Sequence, residues 1–302
     1  MSVVIPTTGR ATVTRAVASA LEQTRAPLEV IVVFDLEVVP PGPALPAGVQ
    51  VLCTGGWRGG NGARMMGITA ASGTAIALLD DDDYWYPAKL AEQVDLLEQL
   101  HRRGSRGIVG CGLDFVREGE VAYTGPRRFI LPEQRVADYL FKRRQVRDGG
   151  ASLHTSALLI DRELLFEEPL HGWDIHEDWD WVLRAERLPR VAFAAVPRPL
   201  FVYQLPAPGV AMSRSHLWRR SAEWVESYRS VLTPREYGDF LASVTVTLAI
   251  DAGDRAGALA MLLRALRRGR PGPQALLMAA GLLVLPRQGT YRLRRLVDRL
   301  MG

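Results

Sequence analysis

The chain has 302 residues, about twice a common domain size, so it holds one large domain or one domain with an appendage. Apolar residues make up 48% and charged residues 23%, which excludes a disordered chain, a collagen-like chain and a small disulfide scaffold. Its two cysteines, Cys53 and Cys111, lack the spacing of a zinc cluster. The net charge of +4 is uneven: residues from Arg214 onward carry +8, and the preceding residues carry −4.

The start of the chain and its apolar runs bear on localisation. No basic stretch followed by a long apolar stretch opens the sequence, so we predict no signal peptide. The longest apolar run, residues 275–285, is about half the length that a bilayer span needs. We therefore expect a cytoplasmic chain, with peripheral contact at the inner face of the membrane left open.

Strands alternate with helices along the first hundred residues. Short apolar runs rich in β-branched residues predict strands over residues 2–5, 28–34, 49–53 and 74–79. Helix-spaced apolar residues predict helices over 13–21, 63–71 and 90–100. This alternation is typical of a mostly parallel sheet with helices on both faces, whose ligands bind at the carboxyl ends of the strands.

The rest of the chain is less regular before it becomes helical. We predict strands over 108–115, 156–160 and 191–203, a helix over 176–186, and loops with short helices over 118–150. Beyond residue 215 the spacing predicts helices over 217–231, 234–251, 255–268 and 273–285.

Four consecutive carboxylates, residues 80–83, follow the predicted strand over 74–79 directly. Adjacent carboxylates repel one another, and Mg²⁺ or Mn²⁺ removes that repulsion. In extended chain Asp80 and Asp82 point to the same side, so both can face one ion. A solvated acidic turn is the alternative interpretation.

A second acidic motif, residues 176–181, opens a predicted helix. Glu177 and Asp178 suit a first helical turn because the helix dipole favours negative charge there. Trp179 and Trp181 are compatible with plain core positions. A binding site for a sugar acceptor also needs an aromatic surface beside a general base, and this motif offers both.

Several segments in a fixed order resemble family 2 glycosyltransferases. The segments around Pro6-Thr7, Gln23-Thr24 and 28–35 resemble that family's N-terminus, and 61–68 resembles its asparagine-glycine-arginine helix start. Residues 79–90 resemble its DxD segment, and Glu177-Asp178 resembles its ED motif. The resemblance covers residues 2–213. It implies an α/β, Rossmann-like GT-A fold, with a mostly parallel sheet flanked by helices and a C-terminal helical appendage.

The resemblance also implies a function for each part of the chain. Residues 1–110 would form the nucleotide-sugar-binding half, 111–215 the acceptor-binding half and 216–302 a basic helical region. Asp178 matches the general base. Metal binding falls to Asp80 and Asp82, with Asp83 and, more weakly, His216 as further candidates. The matched nucleotide-sugar positions are Pro6, Thr7, Thr8, Arg10, Asp35, Asn61, Arg64, Asp80 and Asp81. The acceptor candidates are Trp173, Glu177, Trp179 and Trp181.

Several positions depart from the family pattern or carry a plain alternative. Phe34 replaces the first of two acids that usually end the second strand, and Thr8-Gly9 replaces a tyrosine-asparagine pair. For His216 we favour a lone surface histidine over a metal ligand, and we interpret His154 and His171 as structural or surface residues.

The sequence therefore predicts an inverting, metal-dependent enzyme that moves one sugar from a UDP- or dTDP-type nucleotide-sugar. Mn²⁺ or Mg²⁺ is the implied cofactor, and the acceptor is a saccharide, a lipid-linked molecule or a small molecule. A sugar nucleotidyltransferase and a catalytically idle, membrane-associated nucleotide-sugar-binding protein are the alternatives. No nucleic-acid motif accompanies the basic C-terminal region. Peripheral membrane contact through the C-terminal helices and a homodimer stay open.

Overall fold

The computed structural model describes residues 1–42, 44–146, 151–173, 175–205 and 217–284. The chain divides into two compact units. The first consists of Met1–Tyr139 and Gly149–Pro208, and the second of Leu140–Asp148 and Gly209–Gly302. A division of the first unit at residue 110 stays a prediction.

The described strands of the first unit form one nine-stranded mixed sheet. Its order is β3-β2-β1-β4-β8-β6-β9-β5, with β7 paired to β6. The strands are β1 (Ser2–Thr7), β2 (Glu29–Phe34), β3 (Gln50–Cys53), β4 (Ala75–Leu78), β5 (Tyr84–Trp85), β6 (Arg106–Arg117), β7 (Glu120–Gly125), β8 (Leu159–Asp161) and β9 (Val191–Gln204).

Strands β1 to β4 are parallel, as the alternation of strands and helices predicts. Their carboxyl ends therefore share one edge of the sheet. Strand β8 runs antiparallel to β4, with Ala77 opposite Leu159. Because of this reversal, the residues that precede β8 lie at the edge where β1, β2 and β4 end.

The structure describes six α-helices before residue 208; those that begin at Val13, Lys89 and Glu177 start within one residue of the prediction, and the one that begins at Arg162 was not predicted. They are α1 (Val13–Leu21), α2 (Gly59–Ala70), α3 (Lys89–Arg102), α4 (Val136–Phe141), α5 (Arg162–Glu167) and α6 (Glu177–Ala185). Helix α2 starts four residues before the predicted start. Gly67 in α2 has no room for a side chain, since an added Cβ would lie 2.5 Å from Val4 Cγ1. This glycine lets α2 pack closely on β1.

The second unit is helical, as predicted. Its described helices are α7 (Leu217–Ser227), α8 (Pro234–Phe240), α9 (Val246–Asp251), α10 (Arg255–Arg268) and α11 (Pro273–Val284). A wider π-helical turn, Leu241–Thr245, interrupts the predicted continuous helix over 234–251. Thr233 and Glu236 form a capping box at the start of α8. Among the described helices, none has both the length and the hydropathy that crossing a membrane needs.

Candidate active site at the carboxyl edge of the sheet

Asp35, which follows β2, is buried among polar groups beside the end of β1. Its backbone N–H donates to the carbonyl oxygen of Thr7 at 2.8 Å. Its Oδ1 accepts hydrogen bonds from the Thr54 hydroxyl at 3.0 Å and from the Arg58 N–H at 2.8 Å. Its Oδ2 is buried and has no hydrogen-bond partner among the described residues. A buried carboxylate oxygen without a donor is an acceptor site for a ligand N–H or O–H.

A second hydrogen-bonded group joins the loop after β1 to the acidic segment. The Thr7 hydroxyl donates to Asp81 Oδ2 at 2.6 Å. Arg10 Nη1 reaches Asp81 Oδ1 at 3.2 Å and Asp82 Oδ2 at 2.7 Å. Burial raises the pKa of Asp81. Of the neighbouring candidates, Pro6 is buried in β1 and Thr8 is exposed.

Arg64 bridges the two acidic motifs of the sequence. Its Nη2 donates to Asp80 Oδ1 at 2.6 Å, and its Nη1 donates to Glu177 Oε1 at 3.1 Å and to Asn61 Oδ1 at 3.0 Å. Burial by itself would raise the pKa of Asp80, but the charge and hydrogen bond of Arg64 outweigh it and lower that pKa. A nucleotide contact by Arg64 stays a prediction; its observed partners are Asn61 and these two carboxylates.

Asp80, Asp83 and His154 form a group that could hold a metal ion. One ligand atom from each lies within 4.8 Å of the others. Burial, reinforced by the charge of Asp80, raises the pKa of Asp83 to about 8. A cation would relieve this crowding, and His154 Nδ1 is buried without a hydrogen-bond partner among the described residues. Two carboxylates and an imidazole therefore fit a divalent ion, and the imidazole favours Mn²⁺ over Mg²⁺.

The other predicted metal ligands lie elsewhere. Asp82 is exposed and pairs with Arg10, so it is not part of the group of Asp80, Asp83 and His154. His216 lies outside the described residues.

The turn that carries His154 is fixed by buried polar contacts. The Ser156 hydroxyl donates to Asp83 Oδ2 at 2.6 Å and accepts from the Asp80 N–H at 3.1 Å. Trp85 Nε1 donates to the Ser156 carbonyl at 2.9 Å. The sequence alone indicates a structural or surface role for His154 and does not single out Ser156, because no motif marks them and only the antiparallel direction of β8 brings them to this edge.

Asp178 lies in the first turn of α6 and lines a small pocket. Its Oδ1 accepts the Trp179 N–H at 2.9 Å. Burial raises the pKa of Asp178, the charge of Glu177 adds to the rise, and His154 opposes it. A raised pKa suits a general base, which must both take and release a proton. The pocket is lined by Asn61, Arg64, Leu78, Thr155, Leu158, Leu170, Glu177, Asp178 and Trp181.

The three tryptophans predicted to bind the acceptor have different surroundings. Trp181 is buried, and its Nε1 donates to the Glu168 carbonyl at 2.7 Å. Trp179 stacks on His176 with ring centroids 4.8 Å apart. Trp173 is partly exposed in the segment before α6. Trp181 thus forms part of the pocket wall, and acceptor contact by any of the three stays a prediction.

The sequence profile described as "Glycosyl transferase family 2" matches residues 2–165, which is more than half of the chain. The chain belongs to glycosyltransferase family 2. The match includes the loop after β1, Asp35, Arg64 and the whole acidic segment 80–83.

Curated glycosyltransferases are also similar to this chain. The chain is 26% identical over 182 residues to the amylovoran biosynthesis glycosyltransferase AmsB of Erwinia amylovora, covering 59% of this chain and 57% of AmsB. It is 28% identical over 190 residues to an uncharacterized glycosyltransferase of Rickettsia typhi, covering 58% and 57%. The chain thus matches about 57% of the length of these curated relatives.

Solved structures of S. aureus TarS share the fold. S. aureus TarS 1-349 in complex with UDP matches with a TM-score of 0.50 and 14% identity, over 88% of each chain. TarS 1-349 in complex with UDP-GlcNAc matches with the same score and identity, over 88% of this chain and 71% of that one. At this identity the likeness shows the GT-A fold alone.

Proposed function

We propose that this chain is a glycosyltransferase that moves one sugar, with inversion, from a UDP- or dTDP-sugar to a hydroxyl group of a saccharide, lipid-linked or small-molecule acceptor in a metal-dependent reaction. The observation that carries the proposal is the arrangement around Arg64, which hydrogen-bonds to Asp80 on one side and to Glu177 on the other. The candidate base Asp178 follows Glu177 and lines the same pocket as Arg64.

The nucleotide would bind at Asp35. Uracil and thymine each carry an imide N–H between two carbonyl groups, and Asp35 Oδ2 is a buried acceptor without a partner among the described residues. Cytosine has an acceptor at the same ring position, so this oxygen disfavours it. Two TarS structures contain UDP or UDP-GlcNAc, which agrees with a uridine donor on this fold.

The divalent ion would be held by Asp80, Asp83 and His154. When bound, it neutralises negative charge that develops on the nucleoside diphosphate as this group leaves. Arg10 adds a positive charge at the same edge, where it pairs with Asp81 and Asp82.

Asp178 would act as the general base. Its carboxylate takes the proton from an acceptor hydroxyl while the oxygen of that hydroxyl bonds to the anomeric carbon of the donor. In the same step the bond between that carbon and the diphosphate oxygen breaks. A single in-line displacement of this kind inverts the anomeric configuration. Arg64 holds the neighbouring Glu177 in place.

The proposal is tested by the rate at which UDP- and dTDP-sugars are consumed with Mn²⁺ present, in wild type and Asp178→Asn. We expect a fall of at least about a hundredfold, since a positioned base supplies roughly 10²–10⁴ in rate. Asp180→Asn is the matched control, because Asp180 lies in the same helix but pairs with Arg184. Full activity in Asp178→Asn, with the melting temperature unchanged, would rule out the base assignment.

We also propose that the helical unit makes peripheral contact with anionic membranes. Three exposed leucines, Leu259, Leu263 and Leu266, follow helical spacing along α10, and Arg267 and Arg268 end that helix. Such an apolar stripe with adjacent arginines is typical of interfacial helices. Co-sedimentation with phosphatidylglycerol vesicles but not with phosphatidylcholine vesicles is expected, and its loss in Leu263→Glu. Equal binding to both vesicles, or to neither, would contradict this proposal.

A further inference from the structure

Trp57 is the most exposed aromatic side chain in the described part of the chain, at 76%. It lies in the loop between β3 and α2, flanked by Gly55, Gly56 and Gly59, all with positive φ. A Cβ added at any of these three glycines would meet nothing within 4 Å. The indole therefore stands in open space, where its apolar surface is left in water at a cost in free energy.

The loop is held against the buried carboxylate of Asp35. The Arg58 N–H donates to Asp35 Oδ1 at 2.8 Å, and the Gly56 N–H donates to the Leu36 carbonyl at 2.9 Å. Arg58 N is bonded to the carbonyl carbon of Trp57, so standard bond lengths place Trp57 Cα about 5 Å at most from Asp35 Oδ1. A side chain as long as tryptophan can cover a ring that binds at the other oxygen of that carboxylate.

Asp35 Oδ2 independently points to a ligand at this place. It belongs to a side chain that is 3% exposed, and it has no hydrogen-bond partner among the described residues. The loop after β1 begins next to Asp35, whose N–H donates to the Thr7 carbonyl, but Thr8 and Gly9 in that loop have no aromatic ring. Trp57 supplies an exposed aromatic ring close to Asp35, where a planar ligand could stack on it.

We propose that Trp57 is a nucleobase-stacking residue of the donor site, with its indole lying over the base that donates to Asp35 Oδ2. This inference rests on the proposed function. The two residues would have separate roles, because stacking tolerates any base with a π face, whereas the carboxylate selects a base with an N–H donor. Trp57 then sets donor affinity, and Asp35 sets base preference.

The experiment measures the Kd of UDP, dTDP, CDP, GDP and ADP by calorimetry on the full chain with Mn²⁺, and uses the tightest nucleotide as the probe. Base stacking on an aromatic side chain predicts that Trp57→Ala weakens the probe about tenfold or more. Trp57→Phe keeps a ring and should stay within about threefold. Phe166→Ala is the matched control, an exposed aromatic in α5 after β8 at the opposite edge of the sheet, and should leave the Kd unchanged.

Two readouts separate stacking from a structural role. Saturating probe should quench tryptophan fluorescence in wild type, and most of the quenching should vanish in Trp57→Phe although the probe still binds. Trp57→Ala should lower the affinities of all bound nucleotides by similar factors, whereas Asp35→Asn should change their ranking in favour of CDP.

The outcomes are distinguishable. A wild-type protein that binds none of the five nucleotides would overturn the proposed function and this inference together. Nucleotide binding by wild type with an unchanged Kd in Trp57→Ala would overturn the role of Trp57 alone. A fall in the melting temperature of Trp57→Ala is not expected, since the side chain is exposed. If it does fall, the loss of quenching in Trp57→Phe decides whether Trp57 lies over the bound base.

Discussion

In the second, helical unit the acids Asp239 and Glu226 pair with arginines, whereas not every acid at the candidate active site has such a partner. Asp239 is fully buried, and it accepts from Arg235 Nε at 2.7 Å and from two backbone N–H groups, Arg143 at 2.9 Å and Gly272 at 2.7 Å. Glu226 accepts from Tyr237 and pairs with Arg264, and despite its partial burial these partners lower its pKa.

Two carboxylates of the candidate active site, those of Asp83 and Asp178, differ from these paired acids. Within the described chain, neither Asp83 nor Asp178 forms an ion pair with Arg or Lys, and burial raises the pKa of both. Paired acids stabilise a fold, whereas acids kept with few partners cost stability and are available to a ligand, a metal or a proton. Substituting one acid of each kind tests whether the paired acid stabilises the fold and the unpaired acid destabilises it.

The largest effect is expected for Asp239→Ala. It leaves Arg235 without its buried partner and two backbone N–H groups without an acceptor, which predicts a loss of about 3 kcal/mol in the free energy of unfolding. Urea unfolding followed by circular dichroism measures it. The control Glu223→Ala, at an exposed position in α7, should change stability by less than about 0.5 kcal/mol. A loss below about 1 kcal/mol for Asp239→Ala would show that the acids of this unit are not structural.

Asp83→Asn should have the opposite sign, with a gain of roughly 1–2 kcal/mol in metal-free protein at pH 8. Between an ordinary carboxyl pKa near 3.9 and about 8, folded protein holds a proton that the unfolded chain has released. Stability of wild type therefore falls as pH rises through this window, and Asp83→Asn should remove part of that slope. Thermal unfolding in EDTA across pH 5–8 measures it.

Adding Mn²⁺ should reverse the order of stability of wild type and Asp83→Asn. The ion should raise the melting temperature of wild type, because it binds the folded state, and should raise that of Asp83→Asn much less. Asp82→Asn is the matched control, since Asp82 is exposed and pairs with Arg10. Mn²⁺ stabilisation lost in Asp82→Asn and kept in Asp83→Asn would assign the metal to the other carboxylate.

The smallest effect is expected in the pH dependence of the rate. The raised pKa of Asp178 means that kcat falls, as pH decreases, at a higher pH than an ordinary aspartate would give. Glu177→Gln removes a negative charge that raises this pKa, so the fall should move to lower pH. The shift is expected to be below about one pH unit for a partly solvated pair. A shift to higher pH would contradict the assignment of Asp178 as the titrating base.

The strands at one edge of the sheet could be predicted because β1, β2 and β4 are short apolar runs that end at prolines or acids. The same strand pattern places Thr7, Asp35 and Asp80 at their carboxyl ends. Strand β7 could not be predicted, because it is largely exposed and lacks apolar alternation. Strand β5 has only two residues and α5 only six, too few for any periodicity.

The group of Asp80, Asp83 and His154 depends on topology that the sequence does not display. Residue spacing in extended chain puts Asp80 and Asp82 on the same side, but the chain turns after β4, where the Asp83 N–H donates to the Asp80 carbonyl at 3.2 Å. His154 is more than seventy positions away along the chain and reaches the group only because β8 is antiparallel.

The double ion pair of Arg64 has a consequence for the order of events in a catalytic cycle. A cation drawn to Asp80 competes with Arg64 for the same carboxylate, and an Arg64 released from Asp80 can turn its full charge toward Glu177. Glu177 in turn acts on the proton affinity of Asp178. Linkage of this kind is reciprocal. If donor binding prepares Asp178 for proton transfer, then binding of the acceptor at Asp178 strengthens donor binding. We expect synergy between the two substrates, carried by one guanidinium group.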